Sequence, residues 1–251
     1  MLLSNAPNGL RSDFLSYLVQ EAYQPGTRLP AIQELAKTLG ISTGKLREQL
    51  EIARQMGIVE IRPKTGIRTL RYTFYPMLRT SLLFALALDT NYFHQFGELR
   101  NYVEASFWNE AVTLLQPEDI QNLQKLCEQA WKKLRGRPIQ IPHQEHRQLH
   151  LSIYSRLENT FVTGILEAYW EAYETVGLNV YEDYAYLQAV WTYHTEMVQA
   201  IIDGDLDKGH KALIEHTNLL QNRPIIAGVY PPSSEKETIS IREQRVGSEN
   251  K

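Results

Sequence analysis

Among the 251 residues, histidine is scarce, at seven copies, and four of them fall in a pattern that could do chemistry. His146 and His150 are spaced i, i+4 within a helical run from Pro142 to Leu157, so both project from one face. His194 opens the run His194-Thr195-Glu196-Met197-Val198-Gln199-Ala200, and His216 lies on the helix that follows Gly204-Asp205. Two imidazoles one turn apart, with one more from each of two further helices, can hold a divalent metal inside a bundle. That requires neutral ring nitrogens meeting at about 2.0–2.2 Å from one point. The same spacing also fits histidines on an exposed face, or donors to core carbonyls. His143 and His210 read as surface residues, and His94 has no evident partner. Cys127 is the one cysteine, which excludes an intramolecular disulfide and a cysteine-based zinc cage, and fits a reducing compartment.

A second chemistry is electrostatic. Residues 1–72 carry 10 Lys/Arg against 6 Asp/Glu, a balance of +4, whereas the remainder carries 16 against 23, a balance of −7. Lys45, Arg47, Arg54, Arg62, Lys64, Arg68 and Arg71 crowd into one stretch. A basic module fused to an acidic one points to a polyanion as partner of the first.

The elements that must position these groups follow from periodicity. Leu10 to Glu21 has one apolar stripe (Leu10, Phe14, Leu15, Leu18), and Tyr23-Gln24-Pro25-Gly26 reads as a turn. A second helix runs from Ala31 to Leu39 and stops at Gly40; a third, N-capped by Ser42, ends near Gly57 and buries Leu46, Leu50, Ala53 and Met56. The period then changes to two: Ile58 to Ile61 and Ile67 to Leu70 read as strands joined by Pro63-Lys64-Thr65-Gly66. Three helices and a hairpin make a winged helix. Its third helix would enter a major groove with Ser42, Thr43, Lys45 and Arg47 at its start as DNA contacts and Arg54 further along, while Lys64, Gly66 and Arg68 of the hairpin meet the backbone or minor groove. Units of this shape also serve as protein-interaction modules.

From Met77 to Asn222 the pattern is helical, with breaks near Asp89, Gln116-Pro117, Arg135 to Pro142, Asn159, Gly177 and Gly204, which gives six or seven helices and no strand. The expected architecture is mainly α. It comprises a winged helix-turn-helix with a small β-hairpin over 1–71, a linker and first helix over 72–80, an antiparallel helical bundle over 81–222, and a flexible tail over 223–251. The longest apolar stretch, Leu82 to Leu88, is far short of the about 20 residues a membrane span needs. The N-terminus lacks a secretion signal, so a cytoplasmic location is expected.

Pro25-Gly26-Thr27-Arg28-Leu29-Pro30, Leu35-Ala36-Lys37-Thr38-Leu39-Gly40-Ile41-Ser42, Leu46-Arg47-Glu48-Gln49-Leu50, Met56-Gly57-Ile58-Val59 and Gly66 together resemble the winged helix of the GntR family. The resemblance implies that Arg47 and Gly66 take the places of the family's helix arginine and wing glycine. Where the family has a base-reading arginine after the serine, this chain has Thr43, which puts the family's usual operator sequence in doubt.

The stretches Leu99-Arg100-Asn101-Tyr102-Val103-Glu104-Ala105, Leu149-His150 with Asn159, and His194 through Gly204-Asp205 to His216 resemble the FCD effector domain of that family. The resemblance implies an aspartate and three histidines around a divalent metal, the three being His150, His194 and His216. His146 stands where the aspartate would be. Four neutral ligands favour zinc, nickel or copper over manganese and leave the metal's charge for an anionic effector to offset. By the same resemblance Arg100 clamps a carboxylate effector; read from its residues alone, Arg100 with Glu104 at i+4 is a helix-surface ion pair. The whole implies a homodimer on a palindromic double-stranded DNA operator, responsive to a small carboxylate metabolite. Two rivals stand beside it: a metal-dependent hydrolase or lyase, and a DNA-binding dimer whose histidines are inert.

Overall fold

The computed structural model describes residues 9–178 and 183–221. The expected tail over 223–251 lies outside the described residues.

The chain opens with α1 (Asp13–Tyr17), which continues as a π-type turn over Leu18–Ala22. It starts at Asp13 rather than Leu10 because Ser12 caps it, Oγ accepting from Leu15 N at 3.2 Å. Next come α2 (Ile32–Leu39), ended by Gly40 in the left-handed region at φ 65°, and α3 (Thr43–Gln55). β1 (Val59–Arg62) and β2 (Gly66–Thr69) pair antiparallel, Val59 opposite Thr69 and Arg62 opposite Gly66. The periodicity missed a third extended piece: the segment before α2 joins β2, with Leu29 N donating to Ile67 O (2.9 Å) and Thr69 N to Thr27 O (2.9 Å). Phe14, Leu29, Leu35, Leu46, Leu50, Val59 and Ile67 form the core of this unit.

Seven helices follow: α4 (Tyr75–Leu88), α5 (Tyr92–Leu114), α6 (Pro117–Leu134), α7 (His143–Ile153), α8 (Thr160–Thr175), α9 (Tyr184–Asp203) and α10 (Leu206–Gln221). No strand occurs among their described residues. The connection from wing to bundle is shorter than a Tyr72-to-Pro76 linker, because Pro76 is accepted in the first turn of α4, where its missing N–H has no partner to lose. Asn159 caps α8 through bonds from Phe161 N and Val162 N, and Gly204 ends α9 at φ 73°.

The helical part has two apolar clusters. One gathers α5, α6, α7, α9 and α10 around Trp108, Leu123, Leu149, Trp191 and Met197. The other joins α4 and the start of α5 to α8 through Leu82, Leu86, Phe93, Tyr169, Trp170 and Tyr173. The histidines lie where the two meet. Among the described residues no helix is long and apolar enough to cross a membrane.

Candidate functional site

α7 supplies His146 and His150, α9 His194 and α10 His216, and each offers one ring nitrogen within 4.8 Å of the other three. His150 and His194 are 0 % exposed, His216 3 % and His146 9 %. His150 Nε2 stands 3.1 Å from His194 Nε2 and 3.2 Å from His216 Nε2. Nitrogens bound to one ion at about 2.0–2.1 Å stand about 3–3.4 Å apart, so the two His150 distances are those of ligand pairs, within a group that spans up to 4.8 Å. Three further observations agree. One lone pair on His150 Nε2 cannot serve both neighbours linearly. His146 Nε2 is buried with no hydrogen-bond partner. Burial and the neighbouring imidazoles push His146 and His194 well below the ordinary histidine pKa, and burial with the His150 and Arg100 charges does the same to His216, so all three rings are neutral donors. The residues fit a divalent metal held by nitrogen.

Behind the cluster lies a charged pair. Glu104 Oε1 is 3.1 Å from His150 Nδ1, and Arg100 Nη2 is 2.9 Å from Glu104 Oε2 and 2.9 Å from that same Nδ1. The guanidinium can only donate to Nδ1 and the carboxylate can only accept from it, so the two partners select opposite tautomers; with Glu104 as acceptor, the Nε2 lone pair faces the other imidazoles. Burial alone would raise the Glu104 carboxyl, but Arg100 and His150 outweigh it and hold the pKa below the usual value. Arg100 lies 4.6 Å from the Tyr169 ring centroid, and its Nη1 donates to Asn101 Oδ1 at 3.1 Å. The i, i+4 pair expected on a helix surface is therefore interior, at 1 % and 0 % exposure. Nor does Arg100 face the histidines across an open cavity. Among the described residues a cavity adjoins His143 and His146 instead, and at about 10 Å³ has room for one water molecule.

The other histidines differ from their surface reading. His143 is almost buried, 2.9 Å from Glu174 and stacked on Tyr173, and His210 Nε2 donates to Ala105 O at 3.1 Å. The aromatic surround could not be singled out in sequence, because aromatics at helical spacing are ordinarily core. Here Trp170 lies edge-on to His146 at 4.6 Å between centroids, and Trp191 is 4.8 Å from His194.

At the basic end, α3 presents Thr43, Lys45 and Arg47 as exposed residues. Ser42 is committed to capping, its Oγ accepting from Lys45 N at 3.1 Å. Two of the expected contacts are internally paired: Lys45 with Asp13 at 2.9 Å, and Arg54 with Glu51 through two bonds of 2.8 and 2.6 Å. Among the described residues no acidic side chain pairs with Arg47. On the wing, Lys64 (φ 70°) and Gly66 (φ 81°) turn the hairpin, and Arg68 donates to Gly26 O at 3.2 Å. Sequence reasoning missed Gln49, whose Oε1 accepts from Phe14 N (2.8 Å) and whose Nε2 donates to Asp13 (2.9 Å), tying α3 to α1.

An exposed basic helix and wing, joined through a short connection to a helical domain with a buried polar centre, define a DNA-binding regulator with a C-terminal effector domain. The chain belongs to the GntR family of bacterial transcription regulators: residues 15–68 match "Bacterial regulatory proteins, gntR family" and residues 95–219 match the FCD domain. A protein of Escherichia coli (strain K12) named as an L-lactate dehydrogenase operon regulatory protein is 28% identical over 204 residues, 78% of each chain. The Uxu operon transcriptional regulator of the same strain is 21% identical over 216 residues, covering 82% of this chain and 81% of its own. In fold, the chain resembles the solved structure of Streptococcus agalactiae GntR at a TM-score of 0.60 and 19% identity, over 83% of this chain and 95% of that one. The chain is a regulator and not an enzyme, which removes the hydrolase or lyase reading.

Proposed function

We propose that this regulator binds its operator as a homodimer on a palindromic site, and that a divalent metal held by His146, His150, His194 and His216 receives a small carboxylate effector that changes DNA binding. The single observation that carries the metal reading is the convergence of four buried imidazole nitrogens, one pair contacting at 3.1 Å. An all-nitrogen set favours zinc or nickel. The set is neutral and the Arg100 charge is matched by Glu104, so the ion's charge calls for an anion. Arg100 Nε has no partner, which supports a second contact to the carboxylate from Arg100 as Glu104 gives way.

On the DNA side, Thr43, Lys45 and Arg47 meet the major groove, while Lys64, Gly66 and Arg68 meet the backbone. Arg54 is a weaker contact, since Glu51 already neutralises it. The route between sites runs along α8: Trp170 touches His146 at one side, and Glu171 holds Tyr75 and Arg79 of α4 at the other. Pro76 of α4 in turn meets Gly57, at the end of α3.

The test combines elemental analysis of the purified protein with fluorescence anisotropy on DNA from its own upstream region, with and without zinc and a carboxylate. The proposal expects about one metal ion per chain, lost in a His150→Ala/His194→Ala variant, and a carboxylate response lost with it. The reading in which the bundle serves only dimerisation gains some support from the small cavity. It predicts unchanged DNA affinity under every addition.

A further inference from the structure

We infer that the effector carries an apolar body behind its anionic head and is not a polyhydroxylated acid. This rests on the carboxylate-sensing reading above and names the class of ligand.

The inference comes from the walls of the cavity that adjoins His146. Apart from His143, His146, Tyr173, Tyr186 and the indole N–H of Trp191, the lining among the described residues is hydrocarbon: Ile141, Pro142, Leu178, Leu187 and Val190. The two imidazoles are not equivalent. His143 Nε2 is already engaged by Glu174 at 2.9 Å, and its ring is stacked flat on Tyr173. His146 Nε2 is buried without a partner. The imidazole nitrogen without a partner is thus at the His146 end, next to the other three imidazoles, and apart from the two tyrosines and the Trp191 N–H the rest of the described lining offers a ligand carbon. A hydroxyl moved from water to such a wall without a bond loses roughly tenfold to a hundredfold in affinity. A methylene placed there gains about fourfold.

At about 10 Å³ the cavity holds one water, so a body of several carbons must enlarge it. Tyr186 and Leu187 stand on the first turn of α9, whose N-cap is Asp183, accepting from Tyr186 N at 3.3 Å. Moving that turn costs this long capping bond, the bond from Leu187 N to Asp183 O at 3.0 Å and part of the Leu187 burial. The turn also lies two turns before His194, so a ligand that displaces it works on the helix that carries one of the four imidazoles.

The experiment is a competition of small acids on the full-length, zinc-supplemented protein, read by thermal shift and tryptophan fluorescence. The probes are acetate, 4-methylpentanoate, phenylacetate, D-gluconate and D-glucuronate. The inference expects 4-methylpentanoate or phenylacetate to bind about tenfold or more tighter than acetate, and the two sugar acids no tighter than acetate. A Leu187→Phe variant, which narrows the cavity with another apolar side chain, should erase the gain over acetate. Tighter binding of gluconate or glucuronate than of the apolar acids overturns the inference, as does equal binding of all five, and in both cases the carboxylate-sensing reading survives. If no acid shifts the protein with or without zinc, that reading fails and takes the inference with it.

Discussion

Trp170 and Glu171 are neighbours on α8 that face different partners, Trp170 the histidine cluster and Glu171 the helix α4. The Trp170 indole lies edge-on to His146, 4.6 Å between ring centroids and 74° between planes, while the Glu171 carboxylate binds Arg79 at 2.5 Å and accepts from the Tyr75 hydroxyl. Successive helical residues are about 100° apart, so any rotation of α8 that relieves one contact disturbs the other. Packed cores respond to such displacements by switching rather than by bending.

Gly164 fixes how closely α8 lies against the beginning of α4. A Cβ built there comes within 2.9 Å of Tyr75 N and 3.0 Å of Phe74 Cβ, the first residue of α4 and its N-cap, where the connection from the winged helix ends. Gly164→Ala therefore forces the two helices apart, at about 1–3 kcal/mol. Differential scanning calorimetry should show a loss of several degrees. Operator affinity should change in the same variant, and an unchanged response to effector would argue against α8 as the route.

The Glu171 contact is also a source of acid sensitivity. Burial would raise its carboxyl, but the bonds from Arg79 and Tyr75 prevail and lower the pKa. A carboxylate depressed on folding stabilises at pH above its unfolded value, about 4.3, and that stability is lost as pH falls through the folded value. Urea unfolding from pH 6 to 3 should show a shallower acid decline for Glu171→Gln than for the parent, together with a loss of about 1 kcal/mol at pH 7.

Chelation gives a third expectation. A ligand present at a hundred times its dissociation constant stabilises the folded state by about 2.7 kcal/mol. Treating the purified protein with EDTA should lower its melting temperature by several degrees, and zinc should restore it. His216→Ala, which removes one donor, should abolish the zinc-dependent shift.

Breaking the Arg100–Glu104 pair on one side should be more damaging than removing it whole. Glu104→Gln leaves a guanidinium at 1 % exposure without its countercharge, a change of about 3–5 kcal/mol for buried pairs. Arg100→Met combined with Glu104→Gln removes the uncompensated charge and should recover much of that loss in chemical denaturation. A double variant as unstable as the single one would show that Glu104 matters mainly through its bond to His150.

On the recognition helix, Arg47 and Arg54 should separate. Arg47→Ala should weaken operator binding by about tenfold and reduce the salt slope by about one unit if it meets a phosphate, or relax sequence preference if it meets a base. Arg54→Ala should do markedly less, because Glu51 holds the guanidinium through two bonds. Equal losses in quantitative gel shifts would place Arg54 at the interface too.

How much of this was written in the chain differs by element. The winged helix was legible because local rules set it: Ser42 caps α3, Gly40 and Gly66 take positive φ, and the period changes from helical to alternating at Ile58. Helix ends in the bundle were legible for the same reason at Gln116-Pro117, Asn159 and Gly204. The spacing of His146 and His150 put both on one face, His194 and His216 stood out on two further helices, and the family resemblance implied that His150, His194 and His216 are ligands. What those residues do to one another was decided by tertiary structure alone. The fate of Arg100 shows this most sharply: i, i+4 spacing from Glu104 is identical on a wet surface and in a dry interior. Only the arrival of α7 and α8, bringing His150 and Tyr169, makes the pair a buried partner of the imidazoles. Likewise the contacts of Gly164 with Tyr75 and of Trp170 with His146 join positions far apart in the chain, and no local periodicity records them.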